Sequence, residues 1–403
     1  MDTIKELYKI GFGPSSSHTM GPHKAALKFI DKTKSLPTTK YIVELYGSLA
    51  ATGKGHLTDW IIEQTLGEEK TEIIFKPEVV YEYHTNGMKF FAYDKNNQEL
   101  ASYLVFSVGG GDIRELDEPR KGTSNLYKHN TMNDILKWCE INKKKLHEYV
   151  EGTEGIIIYE FLNEIWQVMK ASVEEGLKRE DLIPGSLKFK RRAKSFYEKY
   201  LTTKDLTTLI FACSQAVAEQ NGSGNKIVTA PTCGASGTLP GLLYSMQVYY
   251  GYSDEEILKA LAVAGLIGIL IKENGSISGA EAGCQAEIGT SCAMGAAACC
   301  YLLGGNIYHI EYAAEIGLEH HLGLTCDPVD GLVQVPCIER NPIAARRAYD
   351  AAQYALLTDG KHIITLDMAI STMMETGKDI DSKYRETSVG GLAKHVRIFR
   401  VLK

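Results

Sequence analysis

Residues 254–272 read DEEILKALAVAGLIGILIK, and they decide what the larger part of the chain must be. Three acids open the stretch, where a helix N-terminus favours negative charge, and apolar residues follow almost without a break. The apolar run 261–271 is eleven residues long and is interrupted by Gly265 and Gly268. A membrane-spanning helix needs about 20 apolar residues. The stretch therefore predicts a helix buried in the core of a helical domain. Residues 291–303 (SCAMGAAACCYLL) agree, because side chains this small let neighbouring helix backbones approach closely.

Working outward, the Ala-, Leu-, Ile- and Glu-rich helical pattern begins near residue 131. Before it the chain reads as mixed α+β. Short strands are expected at 41–46 (YIVELY), 72–75 (EIIF) and 103–108 (YLVFSV), the last stopped by Gly109, Gly110 and Gly111. Residues 79–93 read as a hairpin turning at Asn86-Gly87. Residues 22–34 carry apolar positions at helical spacing. The polar stretch 112–130 reads as a linker. Two modules follow: an α+β domain over 1–130 and a larger all-helical domain over 131–403.

The chain has 403 residues, 44% apolar and 23% charged, which is enough for sizeable cores. A net charge of −6 argues against a broad nucleic-acid footprint. Lys143, Lys144 and Lys145 read as a solvated face. The start, MDTIKELYKIGFG, lacks a basic segment followed by a long apolar run, so a cytoplasmic location is expected, with no membrane partner. In that reducing compartment the nine cysteines are thiols or metal ligands rather than disulfides.

Several segments can carry chemistry. In GFGPSSSHTMGP (11–22), hydroxyls and free N–H groups follow a Gly-Pro turn. Such a turn either binds a carboxylate or phosphate or simply caps the next helix. In YGSLAATGKGHLTD (46–59), His56 follows Gly53-Lys54-Gly55. It is either an exposed loop residue or a base aimed into a cleft. NGSGNKIVTAPTCGASGTLPGLLY (221–244) leads into a helix near Thr238, with Pro240 in its first turn. Its N–H groups suit a substrate carboxylate. Neither GxGxxG nor a Walker pattern occurs in these loops. Lys226 reads as a surface lysine.

The cysteines form no CxxC pair, so zinc-type and ferredoxin-type spacing are both missing. Cys139, Cys213, Cys299 and Cys300 read as core residues, and Cys292 reads either way. Cys284, Cys326 and Cys337 stand beside Gly, Pro or polar loop residues, a setting that leans toward ligands.

Taken together, GPSSSHTMGP, GSLAATGKGHLTD, NKIVTAPTCGASG, NGSISGAEAGCQAEIGTSCAMGAA, EHHLGLTCDPVDGLVQVPC and TGKDIDSKYRETSVGGLA resemble the iron–sulfur L-serine dehydratase (L-serine ammonia-lyase) family, in one collinear order up to about Ala393. The resemblance implies an N-terminal α+β domain, akin to a regulatory domain of phosphoglycerate dehydrogenase, fused to an all-α catalytic domain. It implies a 4Fe-4S cluster held by Cys284, Cys326 and Cys337 with one iron open, His56 as the catalytic base and His18 as a second catalytic residue. Ser15, Ser16, Ser17 and Thr19 would bind substrate, helped by Thr232, Gly234 and Ser236. It also implies a homodimer acting in amino-acid catabolism and gluconeogenesis. Two departures stand out. Some members end in a cysteine that folds onto the open iron, whereas this chain ends VRIFRVLK. Many carry Asn-Gly where Cys233-Gly234 stands here.

The implied chemistry is coherent. An open iron can take the carboxylate and β-hydroxyl of L-serine as a Lewis acid, leaving a histidine to accept the Cα proton. Three rivals remain open: the same machinery acting on threonine or cysteine, a pyridoxal-phosphate lysine such as Lys226, and a non-enzymatic iron–sulfur sensor.

Overall fold

A five-stranded mixed sheet and a bundle of helices anchor two separate compact units in this computed structural model, which describes residues 1–116 and 125–401. One unit starts at Phe12 and holds the sheet. The other joins Met1–Gly11 to the chain from residue 125 onward. The strands are β1 (Ile10–Phe12), β2 (Lys40–Tyr46), β3 (Thr71–Lys76), β4 (Gly87–Tyr93), β5 (Glu99–Gly109), β6 (Asp112–Arg114) and β7 (Lys226–Val228). In the α+β unit the helices are α1 (Gly21–Thr33), α2 (Gly47–Thr52) and α3 (Thr58–Leu66). The helical unit holds α4 (Met132–Asn142), α5 (Leu146–Glu154), α6 (Ile158–Gly176), α7 (Ala193–Thr203), α8 (Leu206–Gly222), α9 (Thr238–Tyr250), α10 (Asp254–Asn274), α11 (Gly279–Ala282), α12 (Thr290–Leu302), α13 (Ile307–Glu319), α14 (Cys337–Leu356), α15 (Leu366–Asp379) and α16 (Gly391–Val401).

The sheet order is β3-β2-β4-β5-β6, with β2 and β3 parallel and the other pairs antiparallel. Alternation along the strands sets the core. Val43 and Leu45 on β2, Met88 and Phe90 on β4, and Tyr103 and Val105 on β5 are buried against Phe29 of α1 and Ile62 of α3. Burying each of these large side chains fully contributes about 1.5–3 kcal/mol.

Two expectations for this region change. Residues 79–86 are not a hairpin strand. Their carbonyls are used elsewhere: Val79 accepts the Gly47 N–H at 2.9 Å and Thr85 accepts the Ser48 N–H at 3.3 Å, so they meet the first orphan donors of α2. The stretch 112–130 opens with β6 on the sheet edge rather than with linker. Residues 117–124 of that stretch lie outside the described residues.

In the helical unit, α10 starts where its acids predict. Ser253 and Glu256 form a reciprocal capping box. Beside it, α12 packs against α9, α10, α13 and α14, and its residues 290–300 are all buried. The two glycines inside the apolar run of α10 have a cause outside that helix. A Cβ at Gly268 would meet Leu7 Cδ2 at 2.4 Å, and one at Gly265 would meet Ile4 Cβ at 3.1 Å. The first residues of the chain lie across this floor, with Tyr8 Oη donating to Leu261 O at 2.9 Å. No helix among the described residues is long and apolar enough to cross a membrane.

Candidate active site

The serine run forms one wide turn, Ser16–Met20, that leads directly into α1. Ser15 caps it, its Oγ accepting the His18 N–H at 3.1 Å. His18 is thereby buried, with Nδ1 2.8 Å from Ser17 Oγ and Nε2 3.2 Å from Ser48 Oγ. Ser16 and Ser17 stay half-buried. The Thr19 hydroxyl donates to His56 O at 2.7 Å and accepts the Ser15 N–H at 3.2 Å, so it is spent inside the protein.

His56 lies on the tight connection between α2 and α3. Gly53 permits that connection, since a Cβ there would stand 2.1 Å from Leu49 O. The Thr58 hydroxyl donates to His18 O at 2.5 Å and completes a clasp between the two histidine segments. The imidazole rings of His18 and His56 lie 4.6 Å apart. His56 Nδ1 is 3.0 Å from Thr52 O. A carbonyl only accepts, so Nδ1 carries the proton and Nε2 carries the lone pair. That Nε2 is buried and has no hydrogen-bond partner among the described residues. Of the two sequence readings of His56, the exposed-loop one does not describe it: the residue is 2% exposed.

Burial holds both imidazoles below the ordinary histidine range, and for His18 the nearby His56 adds to the effect. An unfolded histidine binds a proton near pH 6.5. Below that pH the unfolded chain therefore binds more protons than the folded one, and stability is lost as pH falls toward the depressed folded values. Several carboxyls of the helical unit are raised, Glu315 to about 8, and act in the opposite sense. The histidine contribution is therefore read as a difference. The urea midpoint of the parent should fall relative to that of His18→Asn between pH 6.5 and 5. Parallel curves for the two proteins would refute it.

In the helical unit, Cys284 heads the turn Gln285–Gly289 that continues into α12. Cys326 lies in a loop held by its N–H to Tyr384 O at 2.8 Å and by the Glu386 N–H to its own carbonyl at 2.6 Å. Cys337 is the first residue of α14. Ligand atoms of Cys284, Glu287 and Cys326 all lie within 4.8 Å of one another. Glu287 Oε2 is 3.9 Å from Cys326 Sγ, and Oε1 accepts from Thr232 Oγ1 at 2.8 Å. Gly279 leaves this corner open, as a Cβ there would meet Glu287 Oε2 at 2.7 Å and Cys326 Sγ at 3.3 Å.

The electrostatics single out Cys284. A hydrogen bond from the Cys326 thiol, with the charge of Arg340, holds Cys284 below the ordinary thiol range despite its burial. Cys326 is pushed up by the same hydrogen bond. Burial, and then the negative charge at Cys284, raise Cys337 and Glu287. Glu386 is pushed up to about 7 by the same two causes.

Gly234 donates no side chain to this region; its carbonyl accepts from Asn341 Nδ2 at 2.8 Å. Ser236 Oγ is buried with no partner among the described residues. Cys233 is buried, and its thiol is raised by burial and by the neighbouring Glu287. Cys139, Cys213, Cys292, Cys299 and Cys300 are all fully buried within helices, which settles Cys292 as core. Lys226 is exposed.

Sequence reading did not single out Ser48, His84, Glu287, Arg340 or Asn341. His84 Nδ1 accepts the Asn86 N–H at 3.0 Å, and its ring is one of the charges that bear on His18. The signal for Glu287, Arg340 and Asn341 was one helical turn away. Glu287 stands three residues after Cys284, and Arg340 and Asn341 stand three and four after Cys337, the spacing that shares a helix face.

Comparison with known proteins places these features in a family. The serine dehydratase alpha chain family matches residues 124–393, more than half of the chain. The chain belongs to the serine dehydratase family. Residues 3–70 and 63–118 match the serine dehydratase beta chain family, so this serine dehydratase carries both parts in one polypeptide. It is 39% identical to the L-serine dehydratase of Streptomyces coelicolor over 98% of this chain and 99% of that one. It is 38% identical to the L-serine dehydratase of Haemophilus influenzae, with the same coverage. Identity to L-serine dehydratase 1 of Escherichia coli is 37%, over 98% of this chain and 100% of the relative.

Proposed function

We propose that this serine dehydratase converts L-serine to pyruvate and ammonia with a 4Fe-4S cluster held by Cys284, Cys326 and Cys337. The observation that carries the reading is the gathering of the Cys284 and Cys326 sulfurs from distant segments, the first held toward its thiolate, around a corner that Gly279 keeps clear, with Cys337 near enough to feel the charge of Cys284. This donor set fits such a cluster, because thiolates are its usual ligands and three of them leave one iron free. When bound, the cluster supplies a Lewis acid that makes the β-hydroxyl a better leaving group.

The remaining work falls to the chain's own groups. His56 Nε2, with its lone pair fixed by the Nδ1 contact to Thr52 O, accepts the Cα proton. His18 acts beside it. Ser15, Ser16 and Ser17 offer hydroxyls and N–H groups to the substrate carboxylate, and Thr19 holds the turn to the His56 segment. Thr232, Gly234 and Ser236 supply further polar contacts. Loss of water gives 2-aminoacrylate, which tautomerises to the imine. Water then hydrolyses the imine to pyruvate and ammonia. A cytoplasmic homodimer is part of the same reading.

The test is purification without oxygen, followed by iron and sulfide analysis and a pyruvate assay with L-serine, L-threonine and L-cysteine. Iron and sulfide in equal amounts with preferential turnover of L-serine are expected. Full turnover by iron-free protein, or zinc without sulfide, would overturn the proposal.

A further inference from the structure

Within the helical unit, a cavity of about 440 Å³ opens between the end of α13, the loop that follows it and the first turns of α14. Its size is within the range of small-molecule sites. Arg340, Ile343 and Arg347 lie along one face of α14 and line it. Neither guanidinium has a carboxylate at ion-pair distance among the described residues. Each gives an Nη1 hydrogen bond to a backbone carbonyl, Arg340 to Thr325 O and Arg347 to His320 O, both at 2.8 Å, and Arg340 also hydrogen-bonds the Cys284 sulfur. Glu339, the acid in the lining, is already paired with Arg192 at 2.9 Å. Arg347 therefore stands in the cavity without a counter-charge, and Arg340 has only the cysteine sulfurs, Cys284 foremost, to answer its own.

His321 adds a different demand. It is 5% exposed and its Nδ1 lies 2.7 Å from Gly317 O, so Nδ1 carries the proton and Nε2 presents a lone pair. No hydrogen-bond partner for that Nε2 exists among the described residues. Ile288 and Ile343 supply apolar wall.

We propose that this cavity binds a small hydroxycarboxylate. Carboxylate groups satisfy the two guanidiniums, whose planar donor forks match them. The hydroxyl donates to His321 Nε2, and the carbon body rests on the isoleucines. Arg340 also faces the Cys284 and Cys337 thiols, so the ligand and the thiol cluster share one side chain. The proposal does not depend on the reaction assigned above.

The test is calorimetric titration of the purified full chain with sodium L-malate, succinate and inorganic phosphate at matched ionic strength. L-malate and succinate differ only in the hydroxyl. L-malate should bind at least about tenfold more tightly than succinate, since succinate has no hydroxyl to donate to His321 Nε2. Arg347→Gln should weaken L-malate by about tenfold or more. Ile343→Glu, at a position 55% exposed and safe for folding, should abolish binding by placing an acid in the cavity. Equal binding of succinate and L-malate, binding of phosphate alone, no binding of L-malate at millimolar concentration, or L-malate binding unchanged in both variants would each overturn the assignment.

Discussion

Cys284→Ala protein prepared without oxygen is expected to lose its brown absorbance, its iron and sulfide, and at least about 10³-fold in serine turnover, the scale of a lost Lewis acid worth several kcal/mol. The fold should survive. Cys284 is 3% exposed, but its backbone is held independently by the turn into α12. A far-ultraviolet melt close to the parent's separates loss of ligand from loss of structure. Cys139→Ala is the matched control: that thiol is equally buried, in the core side of α4, and its removal should leave iron content intact. Near-parental turnover by Cys284→Ala would end the ligand assignment. Loss of iron in both variants would reduce it to a general effect of burial.

The second large effect is expected at His56. His56→Ala should retain iron and sulfide while kcat falls by about 10²–10⁴-fold, the usual worth of a positioned base. Its signature is isotopic. Washout of deuterium from Cα-labelled serine should fall in proportion to turnover. The depressed value of the parent imidazole adds a pH criterion: the acid limb of kcat/KM should lie below the ordinary histidine range, because the neutral form persists there. Undiminished washout in the variant would assign proton abstraction to another group.

The fold was legible because its signals are local. The acids and apolar run of α10, the small residues of α12 and the alternation in β2 and β5 each name their element without help from distant residues. The hairpin at Asn86-Gly87 failed for the complementary reason: residues 79–86 hydrogen-bond to Gly47 and Ser48 at the start of α2, a partner far upstream that no turn rule senses. The site divides the same way. Cys284 and His56 stand out beside glycines in sequence. Glu287 and Arg340 look like ordinary helix polar residues until folding brings one against the Cys326 sulfur and lets the charge of the other bear on Cys284. Gly265 and Gly268 looked like interruptions; they are sockets for Ile4 and Leu7.

Those sockets have a practical consequence for anyone who cuts the polypeptide. A fragment starting at residue 125 would expose bare grooves on α10 where Ile4, Leu7 and Tyr8 belong, together with an unanswered carbonyl at Leu261. An opening peptide of eleven residues, grafted directly onto that fragment, is the cheapest way to make the helical half stand alone. Topologically, then, the α+β unit is an insertion near the start of a helical protein, not a preface to it.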